Sequence, residues 1–252
     1  MKLFYKYGAI YFFLLMLWGC SSIPTPSQVY QGKTVKEICT VAENGLAKEN
    51  FADAVQAYEA LDTLYPYGHH IQQAHLNMIY AYYKNNDNAS AIAAADRYIR
   101  LYPQSSNLDY AYYLKGLANY DVDRGWLDHY LPTDPALRDP STLGHAFTIF
   151  SKLVNLFPNS LYAPDARQRM IYLRNMFARY ELRVAQYYFD REAYVAAANR
   201  ASYVVAHYHS SPAVREALII LVKANKKLGL TKAANDALQL LNLNYPGIKI
   251  KN

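Results

Sequence analysis

The side chains with the widest chemical repertoire in this sequence are its histidines. His69, His70 and His75 lie close together, and His207 and His209 form a second group. Imidazole ligates divalent metals, but a zinc site also needs carboxylate, thiolate or further imidazole ligands at fixed spacing. Neither group has acidic or thiolate partners at such a spacing, so no metal is expected and the histidines read as turn or surface residues. Gly32-Lys33-Thr34 imitates the end of a phosphate-binding loop. That loop requires an earlier glycine where this chain has Ser27, and a preceding strand that is absent here. Gly-x-Ser-x-Gly, His-Glu-x-x-His and Gly-x-Gly-x-x-Gly do not occur, and the carboxylates are scattered with no pair standing out. These observations leave no catalytic residue to name, and an enzyme is not expected.

Cysteine supplies the one covalent chemistry. Lys2 and Lys6 precede an apolar run, Gly8 to Trp18, that is too short for an ordinary membrane span. The run ends Leu17-Trp18-Gly19-Cys20, which resembles the lipobox of bacterial lipoproteins. There the cysteine becomes the lipidated first residue of the mature chain. Residues 1–19 are therefore expected to be a signal peptide, with Cys20 as the lipid attachment point and the covalent lipid as the sole non-protein group. Several acyl chains make a firm anchor where one would be marginal. Ser21, in place of aspartate, follows the cysteine; in the Gram-negative lipoproteins that this stretch resembles, that implies sorting to the outer membrane. Residues 20–33 carry prolines and polar side chains and read as an extended tether. Cys39 is then the only thiol, so no intrachain disulfide is expected, and it reads as a small buried apolar residue.

Two residue types could make a binding surface. The chain has 26 tyrosines, many of which must fill gaps between helices. Tyr67, Tyr80, Tyr82 and Tyr83 crowd one region, where large rings with a hydroxyl suit a groove for peptides. Arg167, Arg169, Arg174, Arg179, Arg183 and Arg191 follow one another along a single segment, as a solvated face or a docking surface for an acidic partner. The formal charge of +6 falls to +4 without Lys2 and Lys6. A tethered, exported chain of that charge points to protein partners or anionic lipid, and nucleic acid is not expected.

The elements that position these residues repeat. Phe51-Ala-Asp-Ala-Val-Gln-Ala-Tyr-Glu-Ala-Leu-Asp-Thr-Leu-Tyr-Pro66 recurs at 88–103, 143–158, 194–209 and 231–246. The fourth column is always alanine: Ala54, Ala91, Ala146, Ala197 and Ala234. The fifteenth is always aromatic: Tyr65, Tyr102, Phe157, Tyr208 and Tyr245, read as core. Ala54, Val55, Tyr58, Leu61 and Leu64 recur at helical spacing, and Pro66 ends the run. A second segment precedes each copy and carries its own alanines: Ala74 and Ala81, Ala111 and Ala118, Ala166, Ala217 and Ala224. Small residues in both helices let their backbones approach closely. The expected fold is all-α, an α-solenoid of five tetratricopeptide-like helix pairs, because one pair cannot bury its apolar face alone.

Spacing marks the irregular repeats. The unit ends Pro66 and Pro103 are 37 residues apart, as are His209 and Pro246. The two middle intervals are longer by 18 and 14 residues. The first excess is assigned to an inserted loop at Gly125–Asp139, within 125–142. The second goes to a lengthened helix over Tyr162–Arg191, since fourteen residues is about four helical turns. Ser211-Pro212 reads as a cap and first-turn proline for the last leading helix.

An ordered set of short stretches carries a resemblance over the whole mature chain. Leu64-Tyr-Pro-Tyr-Gly68, Ile79-Tyr-Ala-Tyr-Tyr-Lys84, Arg97-Tyr-Ile-Arg-Leu101, Arg138-Asp-Pro140, Phe150-Ser-Lys-Leu-Val154, Val184-Ala-Gln-Tyr-Tyr188 and Tyr194-Val-Ala-Ala-Ala-Asn-Arg200 lie among them. Together with the lipobox they resemble the BamD (ComL) family, lipoproteins of the machinery that assembles outer-membrane β-barrels. The resemblance implies a non-enzymatic scaffold on the periplasmic face of the outer membrane. Its partners would be the barrel subunit BamA, other assembly subunits and unfolded outer-membrane proteins. It implies that residues 34–124, with Tyr67, Tyr80, Tyr82 and Tyr83, receive the targeting signal of those proteins. It implies that residues 143–252, with Tyr194 and Arg200, face BamA. Two other classes fit helical repeats on a lipoprotein. One is a cofactor of cell-wall synthesis, which would co-purify with a synthase. The other is a helical lytic transglycosylase, which needs a glutamate in a cleft.

Overall fold

The computed structural model of the chain describes residues 24–122, 140, 143–248 and 250. Cys20 and the expected insertion at Gly125–Asp139 lie outside the described residues. Eleven helices and no strand occur among the described residues. They are α1 (Pro26–Val29), α2 (Val35–Ala47), α3 (Phe51–Leu64), α4 (Ile71–Lys84), α5 (Asn88–Leu101), α6 (Leu108–Asp121), α7 (Leu143–Leu156), α8 (Ala163–Asp190), α9 (Tyr194–His207), α10 (Val214–Lys227) and α11 (Thr231–Asn244). After α1 they form the five expected pairs. The fold class is all-α with tetratricopeptide-like repeats.

The chain divides into two compact units, Met1–His75 and Leu76–Asn252. In the first, α2 packs on α3, and the short α1 also lies on α3. In the second, each helix from α5 to α10 packs on its successor, and α8 also meets α10. The repeat period is strict where it was read. The second helix of every pair is 14 residues long. All five column-four alanines are buried, as are the seven alanines of the leading helices. A methyl at these positions fills the seam, while a larger side chain would force the backbones apart.

The 14-residue surplus is taken up by α8, which at 28 residues is twice the length of α7 or α9. Its first half sends Ala166, Leu173 and Met176 into one core with α6 and α7. Its second half sends Ala178 and Ala185 into another with α9 and α10. One helix therefore serves two repeats.

Four expectations need correction. The tether is not extended over 24–32: Pro26 fixes a first-turn backbone angle, α1 forms, and Tyr30 is buried. The column-fifteen aromatics are half-buried instead of core. Each stands at the C-cap, where its N–H donates to a carbonyl four residues back, and caps lie at the edge of a helix pair. Cys39 is half-buried, and burial with the nearby Glu43 pushes its thiol up from the ordinary value. Ser211 does not cap α10, which begins at Val214 with Ala213 as the N-cap residue.

Ser211 belongs instead to a turn that three repeats share. Ser105, Ser160 and Ser211 each follow a column-fifteen aromatic by three residues. Each donates its N–H to that aromatic's carbonyl, and each carbonyl accepts from the N–H three residues on. Each hydroxyl accepts from the N–H two residues on.

The opposite turns, from leading to closing helix, share another device. Glu49, Asn86, Glu192 and Gly229 all have positive φ, between 57° and 72°. All stand two residues before a closing helix. The left-handed conformation costs a β-carbon-bearing residue roughly 1–2 kcal/mol, and glycine none. Of these four described turns, the last alone uses glycine. Glu192→Gly is expected to stabilise the protein by about 0.5–1 kcal/mol, the relief of strain outweighing the extra unfolded-state entropy. Thermal unfolding checks this; a lower midpoint for Glu192→Gly would contradict the strain argument.

Candidate functional site: a tyrosine ladder on the leading helices

Alanines take one face of each leading helix, which leaves another for larger side chains. On α6, Tyr110, Tyr113 and Tyr120 recur at three and seven residues, a spacing that keeps them together. On α8, Asp165, Arg169 and Tyr172 recur at four and three. On α4, Tyr80 and Tyr83 are three apart. All belong to the second unit, and its packing joins them.

The Tyr83 hydroxyl donates to Asp121 Oδ2 at 2.9 Å. The Tyr113 hydroxyl donates to Asp165 Oδ2 at 2.9 Å, and Arg169 Nε donates to the same oxygen at 2.6 Å. The Arg169 guanidinium also lies 5.1 Å from the centre of the Tyr120 ring, a cation–π geometry. Tyr120 meets Tyr172 edge-on at 6.2 Å. Tyr162 stacks on Tyr113 at 4.8 Å and tilts against Tyr110 at 5.1 Å. The Ser160 hydroxyl donates to Asp109 Oδ2 at 2.6 Å, tying the turn before α8 to α6.

Electrostatics hold three phenols and the guanidinium of this surface in their protonated forms. Burial, reinforced by Asp121, pushes the Tyr83 phenol far above its ordinary value. Burial, with Tyr162 and Tyr80 nearby, does the same for Tyr110. Tyr113 is raised by burial and by its bond to Asp165. For Arg169, burial disfavours the charge, but Asp165 outweighs it and the guanidinium is held above its usual range. The phenols remain donors and the guanidinium remains charged. Asp121 and Asp165 already accept phenol or guanidinium hydrogens, which suits them to orient rings.

Tyr80 and Tyr83 pack on the core beneath the ladder. Tyr82 is half-buried, and two residues from Tyr80 it points about 200° around the helix. Tyr67 lies in the first unit, 87% exposed, in the connection between α3 and α4. Tyr194 meets Phe189 edge-on at 5.4 Å. Arg200 Nη1 donates to Glu181 at 3.0 and 3.3 Å, joining α9 to α8. Tyr110, Tyr113, Tyr120 and Tyr162 were not singled out, although the spacing along α6 was a signal. The arginine row does not make one uniform face. Arg167 donates to the Pro158 carbonyl, Arg174 to the Ser210 carbonyl, and Arg191 covers the Tyr187 ring.

His75 is buried and bonds Asp62 at 2.7 Å, a pair 13 residues apart that joins α4 to α3. Among the described residues no group of three or more His, Cys, Asp or Glu side chains converges as metal ligands would. No helix among the described residues is long and apolar enough to cross a membrane.

Residues 31–240 match a family described as YfiO, outer membrane lipoprotein. Curated relatives named outer membrane protein assembly factor BamD align along almost their whole length. One from Neisseria meningitidis serogroup B is 39% identical over 92% of this chain and 88% of its own. One from Vibrio cholerae is 38% identical over 92% and 95%. One from Haemophilus influenzae is 33% identical over 90% and 85%. The chain belongs to the YfiO family of outer membrane lipoproteins, the family of the BamD assembly factors.

Proposed function

We infer that this protein is an outer membrane protein assembly factor that works as a scaffold, without catalysis, in the machinery that inserts β-barrels. The observation that carries this reading is identity of 33–39% along nearly the whole chain with proteins of that name. A repeat array with a ring-lined, self-satisfied polar surface supports it, because such a surface grips polypeptide and leaves no activated nucleophile. Lipid on Cys20 anchors the chain to the outer membrane, and the repeats face the periplasm. No other cofactor, no metal and no nucleic acid enters the scheme.

In this reading residues 34–124 receive the targeting signal of unfolded outer-membrane proteins, with Tyr67, Tyr80, Tyr82 and Tyr83 contributing rings. Residues 143–252 meet BamA through a surface that includes Tyr194 and Arg200, and further assembly subunits join. Barrel strands end in alternating aromatic and apolar side chains, which aromatic surfaces can bury, and stacked helices hold those surfaces ready at low entropic cost. Purification of the tagged protein from outer membranes tests the scheme. Recovery of BamA and accumulation of unfolded barrels on depletion are expected. Recovery of a cell-wall synthase in place of BamA would favour the cell-wall reading.

The aromatic contribution has its own test. Tyr67→Ala and Tyr80→Ala combined are expected to weaken binding of barrel-terminal peptides roughly tenfold or more. Unchanged affinity in a titration of the folded double variant would reject these two contacts.

A further inference from the structure

We propose that the first helix and Tyr30 shorten the lipid leash to a few residues and so hold the first unit against the bilayer surface, making lipid headgroups its standing contact. The proposal rests on lipidation of Cys20. Only five peptide steps separate Cys20 from Thr25, the cap of α1. At ~3.3–3.6 Å per residue they span at most about 18 Å. Were the chain free as far as Thr34, the cap of α2, fourteen steps would span about 50 Å.

The structure shows what takes up the difference. The backbone N–H of Thr25 donates to Gln28 Oε1 at 2.9 Å, closing the start of α1, and α1 lies on α3. Tyr30 is 6% exposed, so the strap has a buried anchor of its own. Lys33 Nζ sits 4.5 Å from the centre of the Tyr30 ring. The Tyr65 hydroxyl donates to the Lys33 carbonyl at 2.7 Å, fastening the strap to the end of α3. A purely flexible tether would need none of these contacts. Val29 and Gln31 to Thr34 remain exposed on the strap, on the stretch that the leash brings to the headgroups.

The test places a fluorophore at Gln31→Cys in a Cys39→Ala background, in lipidated protein reconstituted into vesicles with headgroup-spin-labelled phosphatidylcholine. Strong quenching at Gln31 is expected. A fifteen-residue Gly-Ser insertion between Ile23 and Pro24 lengthens the five-step leash about fourfold and leaves the strap intact. Effective concentration falls roughly as the −3/2 power of length, so the bilayer becomes about eightfold more dilute at Gln31 and quenching should drop severalfold. Equal quenching with and without the insertion, in protein that stays on the vesicles, overturns the leash while leaving the anchor standing. Native protein that fails to stay on membranes overturns the anchor itself and the leash with it. Retention lost only in Cys20→Ala supports the anchor.

Discussion

Replacing Gly116 by alanine should destabilise this protein by about 2–3 kcal/mol, lowering its unfolding midpoint by about 4–12 °C. In an open helical position the same change would raise stability by about 1 kcal/mol, because alanine is the better helix former. Here the sign reverses. A β-carbon on Gly116 would lie 2.7 Å from Phe150 Cδ1 and closer still to Cε1. Phe150 is fully buried, so its ring has nowhere to swing. The contact is where α6 and α7 come together, and the missing side chain lets the ring seat between them. Gly116→Ala with Phe150→Leu should cost less than the two changes summed, since the smaller side chain vacates the overlap. Thermal or urea unfolding reads both. A Gly116→Ala protein as stable as the parent would remove the close approach from the account.

Reversing the charge at Arg200 is expected to reduce recovery of the proposed partner BamA at least about tenfold, as truncation or reversal at a desolvated charged contact does. The local geometry supplies the control. Arg200 lies on α9 with its side chain about half exposed, and pairs with Glu181 on α8, which is largely covered. That pair holds the guanidinium above its usual range. Arg200→Glu alone sets two carboxylates face to face, so lost binding could reflect a disturbed helix contact. The swap, Arg200→Glu with Glu181→Arg, restores local attraction and inverts what the surface presents. If Arg200 meets the partner, the swap stays defective while unfolding returns to normal. Full recovery of binding by the swap would assign Arg200 to helix packing alone.

Different signals reached different depths of this structure. Column-four alanines and closing prolines were legible because each repeat solves the same packing problem, and one solution written five times rises above noise. The length of α8 was legible as an interval. The serine turns at Ser105, Ser160 and Ser211 were written just as regularly, yet a short polar residue between two helices reads as ordinary loop chemistry. The positive-φ column was hidden for another reason: Glu49, Asn86, Glu192 and Gly229 share a backbone angle but no side-chain type. The strap was misread because prolines and polar residues do satisfy a flexible chain, and only contact with α3 makes them a helix with a buried tyrosine.

The sequence by itself determined the repeat, its seam and its irregular members, since those follow from periodicity, and its short matched stretches pointed to the family. Tertiary structure decided which tyrosines act together. Tyr83 reaches α6 through Asp121, and Tyr113 reaches α8 through Asp165, across separations of 38 and 52 residues, while Arg169 covers Tyr120 and Tyr162 stacks on Tyr113. Helical period says which side chains share a face of one helix. It says nothing of which faces meet, because that depends on the crossing of backbones that alanine and glycine allow to come close.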